Sequence, residues 1–223
     1  MLWCPDLAGW GRAGLVGGVE VVEVAGRREL VVGGVAHPLP VDLDDVAALV
    51  LARYGVTAWH LLRTCAHLSR GESVVVHDAA GPVGALVVQL AVGFGAGRVI
   101  ATAPTRARRR LAVRLGADAA VDPSAPDVRE RLLAGGPVDV VVGGTVEDAL
   151  AVLAPFGRLV GHGEPFAVDP VRLGSRAVAG FRLDDCLARP GMVAAALSEL
   201  IGLTSAGRLR PRAGEQGTTR DDR

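Results

Sequence analysis

The part of the sequence that most limits the possible folds is a series of short apolar runs separated by segments with helical periodicity. The runs are SVVV, RVIA, VDVVV and GRLVG, which begin at Ser73, Arg98, Val138 and Gly157. They are β-branched and do not alternate with polar residues, as is typical of strands buried on both faces of a sheet. The intervening helices are predicted at residues 82–92, 105–115, 127–133 and 146–153. We therefore expect an α/β fold, a Rossmann doubly wound parallel sheet.

The segments on either side of this region predict smaller elements. VEVVEVAGRRELVVGGV predicts two short strands joined by a turn at residues 25–28, and the prolines of HPLP are expected to end that pattern. VDLDDVAALVLARYGVTAWHLL looks helical, and Gly55 is expected to separate two helices within it. A further strand is predicted at residues 177–182 and a last helix at residues 192–203.

These patterns divide the chain into three parts. Residues 1–40 form a short N-terminal β-rich segment, residues 41–207 form the Rossmann domain, and residues 208–223 form a polar tail that is expected to be flexible.

Composition excludes several classes of protein. The 223 residues have a formal net charge of zero, and no apolar stretch approaches the length of a membrane span. Neither a nucleic acid nor a membrane partner is therefore expected, and no signal-peptide pattern opens the chain. Cys4, Cys65 and Cys186 fit neither a disulfide framework nor a zinc pattern, so we expect no metal and a cytoplasmic location. The chain contains no lysine, which removes Schiff-base chemistry.

A glycine-rich turn joins the first buried run to the first of these helices. Its sequence is Ala79-Ala80-Gly81-Pro82-Val83-Gly84, which is the dinucleotide pattern G-x-G-x-x-G with alanine at the first glycine. Gly81 would let the backbone approach a pyrophosphate, and Gly84 would let the helix pack closely on the strand. Pro82 suits a first helical turn, where its missing N–H costs little.

The end of the second buried run predicts which nicotinamide cofactor this loop would hold. NAD-binding proteins place an acidic residue here to bind the ribose 2′-hydroxyl. This sequence instead has Thr102, Thr105, Arg106 and Arg108, which suit a 2′-phosphate and favour NADPH. The alternative is that the arginines form a solvated helix face.

Several motifs together resemble a known family. YGVTAWHLL, RGESVVVHDAAGPVG, RVIATAPTRARRRLAVRLGADAAVD and LAPFGRLVGHG follow one another in the order found in the medium-chain dehydrogenase/reductase superfamily. They are similar to its zinc-independent quinone oxidoreductase and enoyl reductase branch. The resemblance implies a homodimeric enzyme that uses NADPH to reduce a small molecule, either a quinone or an activated carbon–carbon double bond.

The resemblance also implies roles for individual residues. The pyrophosphate would lie on the loop formed by Ala80, Gly81, Pro82, Val83 and Gly84, and the 2′-phosphate beside Thr102, Thr105, Arg106 and Arg108. The nicotinamide end would contact Thr57, Gly143, Gly161, His162 and Phe181. The sequence departs from the family in retaining only the last strands of the GroES-like catalytic domain before the Rossmann part, and in the shortened Gly143-Gly144-Thr145 loop.

Five residues are candidates for acid–base chemistry: Tyr54, His77, Asp78, His162 and Asp184. His77, Asp78 and His162 follow predicted strands on the edge where such folds bind ligands, and histidine titrates near neutral pH. Polar residues that only cap helices or face water would look the same. These candidates leave open a second function, a repurposed cyclase, isomerase or lyase of natural-product biosynthesis, and a third, a non-catalytic partner protein.

Overall fold

A computed structural model describes residues 18–163 and 166–211. A small antiparallel sheet comes first, in the order β1 (Val19–Val24), β2 (Arg27–Val32) and β3 (Val35–Pro38). The two predicted strands are confirmed, with Val21 opposite Leu30. A third strand, β3, was not predicted, but it ends at Pro38, so the strand pattern does end within HPLP as expected. Proline is tolerated there because β3 is an edge strand.

The main sheet contains six parallel strands in the order β6-β5-β4-β7-β8-β9. Their bounds are β4 (Ser73–Val76), β5 (Arg98–Thr102), β6 (Ala119–Val121), β7 (Val138–Val142), β8 (Leu153–His162) and β9 (Ala177–Phe181). This order is that of the Rossmann fold, and it confirms the predicted fold class. The strand order reverses between β4 and β7, so a crevice opens between their carboxyl ends.

The first helix, α1, runs without a break through residues 45–65. Its segments are Asp45–Val50, Leu51–Gly55, Val56–His60 and Leu61–Cys65, of which the second and fourth have wider, π-helical turns. The prediction that Gly55 separates two helices was wrong, since its backbone is helical. A Cβ at Gly55 would lie 3.2 Å from Leu200 Cδ1, so this glycine lets the last helix pack closely.

Each of the other helices that the sequence predicted lies within a few residues of its expected position. They are α2 (Gly84–Gly93), α3 (Arg106–Arg114), α4 (Val128–Leu132), α5 (Val146–Val152), α6 (Pro170–Leu173), α7 (Leu183–Leu187) and α8 (Pro190–Ser205). The sequence patterns did not predict two short helices, α6 and α7, or the two short strands β3 and β6. Each has five residues or fewer, which is too short for a clear period.

Two apolar layers cover the two faces of the main sheet. Val74 and Val76 of β4 pack with α1, α2 and α8, whereas Val75 packs on the other face with α4 and α5. All three valines are fully buried. This two-sided burial is the physical reason that the strand sequences show no alternation of polar and apolar residues.

The beginning of the predicted flexible tail packs on the domain. Leu209 is buried, and the Arg210 N–H donates a 2.9 Å hydrogen bond to Gln89 Oε1 on α2. The rest of that tail, and Cys4, lie outside the described residues. In the ranges that are described, no helix has the length and apolar character to span a bilayer.

Candidate functional site

The carboxyl edge of the main sheet brings most of the predicted site residues together. Because all six strands are parallel, the residues at their carboxyl ends meet along one edge. His77 follows β4, Thr102 ends β5, Gly143 follows β7, His162 ends β8 and Phe181 ends β9. The crevice of the topological switch point therefore has polar side chains on both sides.

In the described part of the chain, the loop from β4 to α2 leaves backbone N–H groups unpaired at the start of a helix. A Cβ at Gly84 would lie 2.9 Å from the backbone atom Ala79 Cα, so this position has no room for a side chain, whereas one at Gly81 would lie 2.9 Å from Cγ of the exposed Asp78 side chain. Among the described residues, the N–H groups of Ala80, Val83 and Gly84 have no backbone hydrogen-bond partner. Unpaired N–H groups at the start of a helix are an anion site, so the loop fits a pyrophosphate.

His77 lies beneath the shortened loop after β7. Its Nδ1 is 3.2 Å from Thr102 Oγ1, and its Nε2 is buried without a partner among the described atoms. A Cβ at Gly144 would lie 2.8 Å from His77 Cδ2, so the Gly143-Gly144 pair closes directly over the imidazole. Burial lowers the pKa of His77, although the charge of Asp148 opposes this change. His77 is therefore neutral at pH 7.

The predicted 2′-phosphate residues lie at the start of α3. Thr105 is the N-cap of this helix and accepts a 3.2 Å hydrogen bond from the Arg108 N–H, whereas Arg106 is exposed. Arg108 Nη1 is 3.9 Å from Asp78 Oδ1, so its guanidinium faces the glycine loop. Thr102 is buried against His77 rather than facing α3. Of this group, Arg108 faces the loop directly.

The predicted nicotinamide side contains a buried cluster that sequence reasoning missed. Phe181 stacks on His60 with ring centroids 5.2 Å apart, and the Cys186 sulfur is 3.3 Å from His60 Nε2. Burial raises the pKa of Cys186 to about 11, so the thiol is protonated and unreactive at neutral pH. Thr57 is buried on the same helix as His60, and Tyr54 is partly buried against the core. His60 therefore has a packing role.

A cleft of about 610 Å³ lies beside the carboxyl ends of β8 and β9. Its walls are mainly apolar and include Phe166 and Phe181, with His162, Arg182 and Asp185 as polar groups. Desolvation lowers the pKa of His162. Asp185, rather than the predicted Asp184, lines the cleft. Both carboxylates lie in the first turn of α7, a helix that the sequence patterns did not predict.

The acid–base candidates do not converge on one point. His77 contacts Thr102, Asp78 faces Arg108, and His162 lies in the cleft. Within the described ranges no hydrogen bond joins any two of them, so a joint acid–base role stays a prediction. Those ranges also contain no group of three or more His, Cys, Asp or Glu side chains that could hold a metal ion.

The fold and the glycine loop define a protein with a Rossmann-type dinucleotide-binding fold. Residues 82–200 match the family described as zinc-binding dehydrogenase. The chain belongs to this family, and so to the medium-chain dehydrogenase/reductase superfamily, as the resemblance predicted.

Three known proteins illustrate the similarity. The quinone oxidoreductase from Thermus thermophilus, crystallised alone and with NADPH, superimposes with a TM-score of 0.75 at 33% identity, over 85% of this chain and 68% of that one. The CurK enoyl reductase superimposes with a TM-score of 0.71 at 27% identity, over 80% of this chain and 57% of that one. A phenolphthiocerol/phthiocerol polyketide synthase protein of Mycobacterium tuberculosis is 34% identical over 149 residues, which are 64% of this chain. The chain spans only 7% of the length of that relative.

Proposed function

We propose that this chain is the cofactor-binding part of an NADPH-dependent reductase that acts on a quinone or an activated carbon–carbon double bond. The observation that carries the proposal is the glycine loop. It leaves backbone N–H groups unpaired among the described residues, and the glycines at positions 81 and 84 carry no side chain, so a pyrophosphate could approach the backbone at Gly81; this approach is called the Gly81 cradle. The similarity of the chain to a quinone oxidoreductase solved with NADPH and to an enoyl reductase supports the proposed class of reaction.

Each part of the carboxyl edge would have its own task. The N–H groups of Val83 and Gly84 would bind the pyrophosphate, and the Arg108 guanidinium would bind the 2′-phosphate. The neutral His77 lies beneath Gly143 and Gly144 and would support this loop beside the cofactor. When bound, the cofactor supplies the hydride.

The cleft beside β8 and β9 would hold the substrate. Its apolar walls suit the ring of a quinone or the chain of an enone, and such walls are common in pockets for small molecules. His162 and Arg182 would orient the substrate carbonyl through hydrogen bonds, since both can donate an N–H. In the same cleft, Asp185 would disfavour negatively charged substrates.

A titration of the purified protein with NADPH, followed by nicotinamide fluorescence, tests the proposal. Saturable binding is expected, followed by loss of reduced nicotinamide when a simple quinone or enone is added. Arg108→Glu should weaken NADPH about tenfold or more and NADH much less, because only NADPH carries the 2′-phosphate. Arg114→Glu is the matched control, because it makes the same charge change in the last turn of the same helix. The absence of any binding at hundreds of micromolar would exclude the reductase.

The non-redox alternative predicts a different result. A cyclase, isomerase or lyase would use His77, Asp78, His162 and Asp184 as acids and bases without nicotinamide. It would be favoured if NADPH failed to bind while substitution of His162 abolished turnover of a candidate substrate. The separation of these four residues gives it less support than the loop gives the reductase.

We further propose that two copies associate through β9 in a reducing, cytoplasmic environment. In the part of the chain that the structure describes, β9 pairs only with β8 and leaves its outer edge open. Cys65 and Cys186 are free thiols, as a reducing compartment would keep them. Size-exclusion chromatography with light scattering would reveal a dimer, and Ala179→Pro should convert it to a monomer.

A further inference from the structure

The glycine loop contains a carboxylate where an anionic cofactor would lie. Asp78 has a left-handed backbone with φ of 46°, which is uncommon outside glycine but tolerated by aspartate and asparagine. Its side chain lies over the loop, and its Cγ is 2.9 Å from the point that a Cβ on Gly81 would occupy. The carboxylate therefore fills the space that Gly81 leaves open.

The same carboxylate also faces the arginine of the loop. Asp78 Oδ1 is 3.9 Å from Arg108 Nη1. One negative side chain thus reaches both the cradle at Gly81 and the cation that faces it. A bound nucleotide would present its phosphates to these same two partners.

We propose that Asp78 is a cofactor-selectivity residue, whose carboxylate competes with the nucleotide phosphates for the Gly81 cradle and Arg108 and so disfavours NADPH more than NADH. This inference rests on the proposed function, because it places a nucleotide on the loop. The two cofactors share the pyrophosphate, but NADPH adds a phosphomonoester of about −1.5 to −2 charges where NADH has a neutral hydroxyl. Repulsion from Asp78 must therefore be larger for NADPH.

The contact is loose enough to be displaced. The side chain of Asp78 is 67% exposed, and its separation from Arg108 is longer than that of a direct charge-assisted hydrogen bond. Desolvation raises the pKa of Asp78, and the Arg108 charge opposes this change. The carboxylate can therefore rotate into solvent when a phosphate arrives, so it weakens nucleotide binding without blocking it.

The test compares three variants in the full chain. Asp78→Asn removes the charge while keeping the shape, and Asp78→Gly removes the side chain; both residues accept a positive φ. Asp127→Asn is the control, because it makes the same charge change in a 2.8 Å ion pair with Arg131 on α4, outside the loop. Affinities for NADPH and NADH are measured by fluorescence, and those for 2′,5′-ADP and 5′-AMP by calorimetry at one fixed salt concentration. The melting temperature of each variant confirms that it is folded.

Asp78→Asn and Asp78→Gly should bind NADPH and 2′,5′-ADP about tenfold more tightly and NADH and 5′-AMP about twofold more tightly. Asp127→Asn should bind all four nucleotides with the same affinity as the unsubstituted protein. Weaker binding by either Asp78 variant, or an unchanged NADPH-to-NADH ratio, overturns the inference even if the protein oxidises NADPH. Tighter 2′,5′-ADP binding in a protein that never oxidises NADPH supports the inference and contradicts the proposed reductase. If none of the probes binds to any of the variants, both the inference about Asp78 and the proposed function are overturned.

Discussion

The two glycines of the dinucleotide loop should differ in their response to alanine substitution. Gly84→Ala should mainly lower the stability of the fold, whereas Gly81→Ala should mainly weaken cofactor binding. A Cβ at Gly84 would overlap the Asp78 carbonyl oxygen and lie 2.9 Å from Ala79 Cα, both backbone atoms that cannot rotate away. Carbon atoms in contact are normally about 3.5–4.0 Å apart, so α2 would have to move by up to about 1 Å. A Cβ at Gly81 meets the Asp78 carboxylate, which is the free end of an exposed side chain.

The energies follow from these contacts. Overpacking costs about 1–3 kcal/mol, and alanine at the start of a helix regains up to about 1 kcal/mol over glycine. Gly84→Ala should therefore lower the free energy of unfolding by about 2 kcal/mol, which for a chain of this length lowers the melting temperature by about 4–8 °C. Gly81→Ala should cost less than about 1 kcal/mol, because the Asp78 side chain can turn away.

Binding should show the reverse order. The new methyl of Gly81→Ala would occupy the cradle and prevent the phosphate from reaching the N–H groups of Val83 and Gly84. Loss of one such charge-assisted hydrogen bond weakens affinity about tenfold or more.

Thermal unfolding and NADPH titration of the two variants check both orders. Equal losses of stability would show that both glycines serve only close packing, and normal NADPH affinity in Gly81→Ala would refute the position given to the phosphate. Adding Asp78→Gly to Gly81→Ala should restore stability, whereas its NADPH affinity should stay below that of Asp78→Gly alone, because the alanine methyl still lies between the phosphate and the N–H groups.

Two further predictions concern stability and pH. Because burial raises the pKa of Cys186 from 9.0 to about 11, the stability it contributes is complete below pH 9 and falls by about 2–3 kcal/mol as the pH rises to 11; urea unfolding should show this slope, and Cys186→Ala should flatten it. The chain has no lysine, but burial also raises the pKa of Cys65, so Cys65→Ala is measured in parallel to separate its part of the slope. Arg158 holds the pKa of Glu72 below its usual value through a 2.6 Å ion pair. This stability is present above the usual glutamate pKa and is lost as the pH falls below it. Arg158→Met should cost about 2 kcal/mol at pH 7 and remove that part of the acid sensitivity; an unchanged acid transition would contradict the assignment.

The sequence alone was sufficient for the fold class and for the position of the glycine loop. Runs such as SVVV and VDVVV indicate buried parallel strands without any tertiary information, because strands buried on both faces are apolar at nearly every position. The loop could be recognised for a similar reason, since Gly81 and Gly84 meet local constraints set by residues a few positions away. Gly55 was misread because its constraint is not local: Leu200 packs against it from the last helix.

The arrangement of the candidate site depended on the tertiary structure. His77 and Thr102 are 25 residues apart, and His60 and Cys186 are 126 apart, and they meet only because the parallel strands and the packed helices bring them together. The left-handed backbone of Asp78 was likewise not predicted from the sequence. Local chemistry thus determined what the loop can bind. The packing of distant segments decided that the Arg108 guanidinium lies beside the Asp78 carboxylate at this loop.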